Sequence, residues 1–175
     1  PALKEPADPS YSWQESFVAL FEDVLSGLKS LPPDTSFEYP YEDIQTFMSR
    51  AIASFLFDDV EAPSLVWLTG SDADIYISIE AKPPSIVALF PGMPHMLWGD
   101  PLMESFFLSE SKALLEGYTG AGGAPLITFP RQRTKRTWYT LFLASALLLE
   151  SSWKNEWARE KVREGVEVLR TAQSY

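Results

Sequence analysis

The sequence predicts an α+β domain, mainly α, with a small β element between helical segments. Three observations predict it. Apolar residues recur at three- and four-residue steps over long stretches in both halves of the chain, the signature of helices with one buried face. Between those stretches two short apolar runs, LVWL at 65–68 and IYI at 75–77, flank the polar loop TGSDAD, the layout of strand, loop and strand. The composition, 46% hydrophobic and 14% aromatic over 175 residues, is enough to bury one sizeable core.

The elements follow in order. Residues 1–12, with three Pro in the first ten, form an extended arm, and 13–175 form the single domain. Ser12 and Glu15 have the spacing of a capping box, and behind them Phe17, Leu20, Phe21, Val24 and Leu28 make the stripe of a helix over 13–30 that LPPD ends. Pro40 suits a first helical turn, with Ile44, Phe47, Met48, Ala51, Ile52 and Phe55 as the stripe behind it. After the TGSDAD loop, AKPPS connects as a hairpin turn to a strand at 86–90, and PGMPHML reads as a Pro-rich turn. Asp100 before Pro101 is a carboxylate cap followed by a residue with fixed φ, which predicts a helix from about 101 through 116. GYTGAGGAP is a loop, and two helices, 131–150 and 153–171, close the chain. The run WYTLFLASALLL at 138–149 is too short to span a bilayer, and is expected to be a helix buried nearly all round.

Twenty-four acidic against fourteen basic residues give a formal charge of −10, which opposes binding to phosphate backbones, so nucleic acid and membrane are not expected partners. A small organic or cationic ligand, or a basic protein, suits that charge better. The absence of Cys removes disulfides and thiolate chemistry and fits a cytoplasmic protein. No metal site and no cofactor are expected.

The segments SLVWLTGSDADIYI and HMLWGDPLMESFF carry a resemblance. Together with the WxxxF start of the first helix, YPYEDI at 39–44 and LLEGY at 114–118, they resemble the C-terminal lobe of the aminoglycoside phosphotransferase and choline kinase-like family over about residues 13–150. That family carries a segment of the form LVHxDLxxGNxxV, a strand ending in Asp-Phe/Trp-Glu, and a Trp-Gly-Asp-Pro turn that WGDPLME at 98–104 matches closely. The resemblance implies a protein kinase-like C-terminal lobe with a small β element between helical segments. It also implies that the reactive positions have changed. The family's His falls on Trp67, its catalytic Asp on Thr69, its metal-holding Asn on Asp74, and its later Asp and Glu on Gly92 and Pro94. Threonine is no base near neutral pH and glycine offers no ligand, so phosphoryl transfer, which needs a carboxylate and held Mg²⁺, is expected to be lost. The β-rich lobe that grips ATP in the family has no counterpart in these residues.

The expected role is a degenerate phosphotransferase-like domain that binds a small molecule or a protein. The protein would be a partner or a second copy, docking on the surface that the family's N-terminal lobe covers. The rival expectation is a repurposed enzyme of isomerase, cyclase or dehydratase type. In it Asp72, Asp74 or His95 would move protons, with Trp67, Thr69, Met93, Met96, Trp98 and Glu104 lining the substrate site. A third is a phosphotransferase half whose other lobe is a separate chain. Asp72 and Asp74 also fit simple loop acids, His95 a solvated turn residue, and Glu104 an exposed helix face. Asp100 is expected to be a structural cap, and RQRTKR at 131–136 a solvated helical turn.

Overall fold

In the computed structural model, residues 12–60, 63–90, 95–107, 112–123, 127 and 129–172 are described. Of the N-terminal arm only Ser12 falls among them. The chain is α+β and mainly helical. Its elements run α1 (Trp13–Lys29), α2 (Tyr41–Ala53), β1 (Ser64–Trp67), β2 (Ile75–Ser78), β3 (Ser85–Leu89), β4 (Met96–Gly99), α3 (Lys112–Gly120), α4 (Pro130–Glu150) and α5 (Glu156–Thr171).

Helix α1 begins where the capping motif predicts: the Ser12 hydroxyl accepts from the Glu15 amide. Its buried stripe of Phe17, Phe21, Val24, Leu25 and Leu28 lies on α4. Helix α4 is the centre of the molecule, with α1 and α5 both packed on it, and it buries Trp138, Tyr139, Leu141, Phe142, Leu143, Ala144 and Leu148. Phe17 is the hinge of an aromatic cluster, with ring centroids 4.7 Å from Phe57 and 5.0 Å from Tyr139, the latter edge-on. Such pairs add about 0.5–1.5 kcal/mol to the area they bury. In α2 the stripe holds for Ile44, Phe47, Met48 and Ala51, but the helix ends at Ala53. Phe55 turns out at φ +52° and is exposed.

The strands form two antiparallel pairs. β2 and β3 make the expected hairpin, with a register irregularity between Tyr76 and Ile77. β4 was not expected: 93–97 reads as the end of a Pro-rich turn, yet Met96–Gly99 pairs with β1, Leu65 opposite Trp98 and Trp67 opposite Met96. The short run MLWG between two turn signals has no local pattern, so its strand state comes from the partner it finds 30 residues upstream.

The single helix expected from 101 through 116 does not form as such. A 3₁₀ turn, Pro101–Met103, is capped by Asp100, and Glu104 then leaves helical geometry at ψ 122°. A second 3₁₀ turn, Ser105–Phe107, precedes α3. The side-chain bonds around Glu104 explain the break. Its carboxylate accepts from the Trp67 amide at 2.9 Å, and the neighbouring Ser105 hydroxyl donates to the Trp67 and Gly70 carbonyls. These bonds to β1 and its loop replace those a continuous helix would make.

Candidate functional site

The WGDP turn is anchored from α4. Asp100 is buried, and its Oδ1 accepts from the Leu102 amide at 2.8 Å, as a cap should. Its Oδ2 accepts from the Tyr139 hydroxyl at 2.8 Å and pairs with Lys135. Lys135 also reaches Asp59 at 2.5 Å, and Trp13 donates its indole N–H to Tyr139. Burial pushes the Tyr139 hydroxyl well above its ordinary pKa, and the Asp100 charge adds to that. Arg136 donates to the carbonyls of Leu102 and Glu104. Desolvation lowers its pKa to about 10, against the opposing pull of Glu104 and Asp100, so it remains a cation at neutral pH.

The basic run at 131–136 is therefore not a solvated turn throughout. Lys135 is only 2% exposed, and Arg136 is buried beside it. Lys135 stands four residues before Tyr139 and seven before Phe142, on the inward face of α4, and that spacing was the signal available in the sequence. Two carboxylates meet its ammonium there.

This anchor fixes β4 along α4. About 15 residues of α4, roughly 22 Å at the helical rise, separate Lys135 from its last residue, Glu150. The five steps from Asp100 back to His95 cover about 17 Å of strand. The far end of β4 accordingly meets the far end of α4, where His95 Nε2 lies 3.0 Å from Glu150 Oε1. On its other side His95 Nδ1 lies 2.8 Å from Thr69 Oγ1, and the Leu68 amide donates to the His95 carbonyl. Thr69, His95 and Glu150 form a continuous hydroxyl–imidazole–carboxylate chain.

The ring tautomer sets the protons in that chain. A carboxylate only accepts, so Nε2 carries hydrogen toward Glu150. In the neutral ring Nδ1 is then the bare nitrogen, and the Thr69 hydroxyl must donate to it. His95 and Glu150 side chains are 32% and 37% exposed, open to small molecules from solvent.

The other expected site residues divide. Trp67, Met96 and Trp98 share one face of the β1–β4 pair with Leu65, because cross-strand partners and alternate residues point the same way. Trp67 is buried, its ring 5.5 Å from Phe106, while Trp98 is largely exposed. Gly70 passes so close that a Cβ there would lie 2.6 Å from the Phe106 ring and 2.8 Å from Trp67. Asp74 does not face outward as a lone acid: it accepts from both the amide and the hydroxyl of Ser71, closing its own loop at 3.0 and 2.8 Å. Asp72 opens the 3₁₀ turn Asp72–Asp74. Glu104 is committed to the Trp67 amide through Oε2, and its Oε1, like the Trp67 indole N–H, is buried without a hydrogen-bond partner. Met93, Gly92 and Pro94 lie outside the described residues, as does the side chain of Asp72. Glu150 was not foreseen, since nothing near it in sequence marks it as a partner for a residue 55 positions away.

Among the described residues no three His, Asp or Glu side chains gather as a metal site, and no helix is long and apolar enough to cross a membrane. Comparison with family models, with curated proteins and with solved structures finds no match to this chain.

Proposed function

We propose that this chain is a kinase-like C-terminal lobe that no longer transfers phosphate and serves as an association module, with the β2–β3 hairpin as its contact surface and a second copy as the occupant. One observation carries the reading. Ile75 pairs with Leu89 and Ile77 with Ile86, so four aliphatic side chains share one face of the hairpin. Ile77, Ile86 and Leu89 are 56%, 63% and 55% exposed. Val87, Ile79 and Phe90 are exposed around them, with Phe90 against the Tyr76 ring at 5.1 Å. Single-chain soluble domains seldom leave such a contiguous apolar patch uncovered, and a two-stranded hairpin alone in water is marginal.

Charge favours a second copy. The chain carries −10 overall, yet between Ile75 and Phe90 the only charged residues are Glu80 and Lys82, in the turn. This is a surface on which two acidic molecules can meet without strong repulsion.

The kinase-like part of the reading rests on the resemblance. It requires 65–77 and 86–100 to be neighbours, and the β1–β4 pairing is consistent with that requirement. The loss of phosphate chemistry rests on Thr69 in place of the carboxylate base and on Asp74 being tied to Ser71.

Analytical ultracentrifugation tests the module. The chain should sediment as a dimer at high micromolar concentration, and Ile77→Lys with Ile86→Glu should give a monomer of unchanged far-UV circular dichroism. A wild-type monomer over the whole range overturns the self-association. In parallel, ATP with Mg²⁺ should leave the melting temperature where it was, since only a ligand of the folded state raises it. A Mg²⁺-dependent rise, or transfer of the γ-phosphate, overturns the loss of kinase activity.

A further inference from the structure

The chain Thr69–His95–Glu150 lies outside the residues of the proposed docking surface. We propose that it is an acyl-transfer site, with Thr69 as nucleophile and His95 as general base, acting on small uncharged carboxylic esters. The proposal stands apart from the association reading and would survive its failure.

Three observations carry it. Thr69 Oγ1 lies 2.8 Å from His95 Nδ1, and in the neutral ring that leaves Nδ1 bare its hydroxyl donates there, the geometry that activates an otherwise poor nucleophile. Glu150, at 3.0 Å from the opposite nitrogen, orients the ring and is placed to stabilise the imidazolium that forms when the proton arrives. The ring is held but a third exposed, so a substrate can reach it. The substrate class follows from charge. A chain of net charge −10 repels anionic esters.

The reaction balances with water alone. Thr69 Oγ1 attacks the carbonyl carbon as its proton passes to His95 Nδ1. The tetrahedral adduct collapses, the carbon–oxygen bond to the alcohol breaks, and His95 returns the proton to the departing alkoxide. Water then attacks the threonine ester, giving one proton to His95. Collapse releases the carboxylic acid, and that proton returns to Thr69 Oγ1. Ester and water become acid and alcohol. Glu150 touches no reacting atom and is a positioning residue.

The probe is p-nitrophenyl acetate with the full chain. Hydrolysis should saturate, and acid-quenched protein should carry one acetyl group on the peptide containing Thr69. Thr69→Val and His95→Gln should each lower kcat/KM about a hundredfold, the usual worth of a positioned base, while Thr69→Ser keeps both turnover and adduct. Since His95 is the sole histidine, no other imidazole can account for the rate. Glu150→Gln should lower kcat, leave KM and the melting temperature in place, and be partly rescued by Glu150→Asp. The proposal is overturned if Thr69→Val matches wild type while remaining folded, if the acetyl group sits on lysine instead, or if wild type is no faster than free imidazole at equal concentration.

Discussion

Lys135 is the residue on which the site's framework turns. Its ammonium lies between Asp59 and Asp100, and Asp100 in turn caps Leu102 and accepts from Tyr139. Removing one partner of a buried pair leaves the other charge unsatisfied, which costs about 3–5 kcal/mol, whereas replacing both with apolar groups can be neutral. Lys135→Ala should therefore lower the urea-unfolding free energy by about that amount. Lys135→Met combined with Asp100→Asn should recover part of it, although Asn still caps Leu102 less well than a carboxylate. Asp100 as a cap was legible in the sequence because a cap bonds two residues away. Its bonds to Lys135 and Tyr139, 35 and 39 positions on, were not.

At the level of elements, the turn between α4 and α5 holds the clearest local strain. Ser152 and Trp153 both take positive φ, 48° and 73°. Trp153 is kept there by burial and by its indole N–H donating to the Pro32 carbonyl at 3.0 Å. Ser152 is exposed and its side chain has no such hold, so the left-handed backbone is a cost with no compensating contact of its own. Glycine occupies that conformation freely and is the usual residue just past a helix end. Ser152→Gly should raise stability by up to about 1 kcal/mol in chemical denaturation, with the melting temperature following it upward. The helices themselves were readable from periodicity: α1, α4 and α5 fall within a few residues of where apolar spacing puts them. The 101–116 segment was misread because capping chemistry at Asp100 announces a helix start but not its length. Glu104 and Ser105 spend their side chains on β1, and that choice lies outside the window of local pattern.

For the whole molecule, two core tyrosines set an alkaline limit on the fold. Burial raises Tyr39 and Tyr139 above their ordinary range, with Ser145 and Trp13 as their hydrogen-bond partners. The sign follows directly: a raised pKa means that the folded state holds the proton more tightly than the unfolded chain does. The stabilisation is full below the unfolded value near pH 10 and drains away as the pH rises above it. In an ultraviolet titration, two of the seven tyrosines should ionise only together with loss of near-UV circular dichroism, and Tyr39→Phe should reduce that number by one. Ionisation of Tyr39 and Tyr139 ahead of any loss of near-UV signal would not match.

By itself the sequence determined the α+β class, the capped amphipathic helices, the hairpin and the structural role of Asp100, because each is written within a few residues by period, cap or turn chemistry. Only the tertiary structure decided that MLWG is a strand, that Lys135 and Arg136 are buried, and that Thr69 and His95 end in line with Glu150. Those outcomes join residues 26 to 76 positions apart, and a long-range bond leaves no mark on the local spacing of either partner.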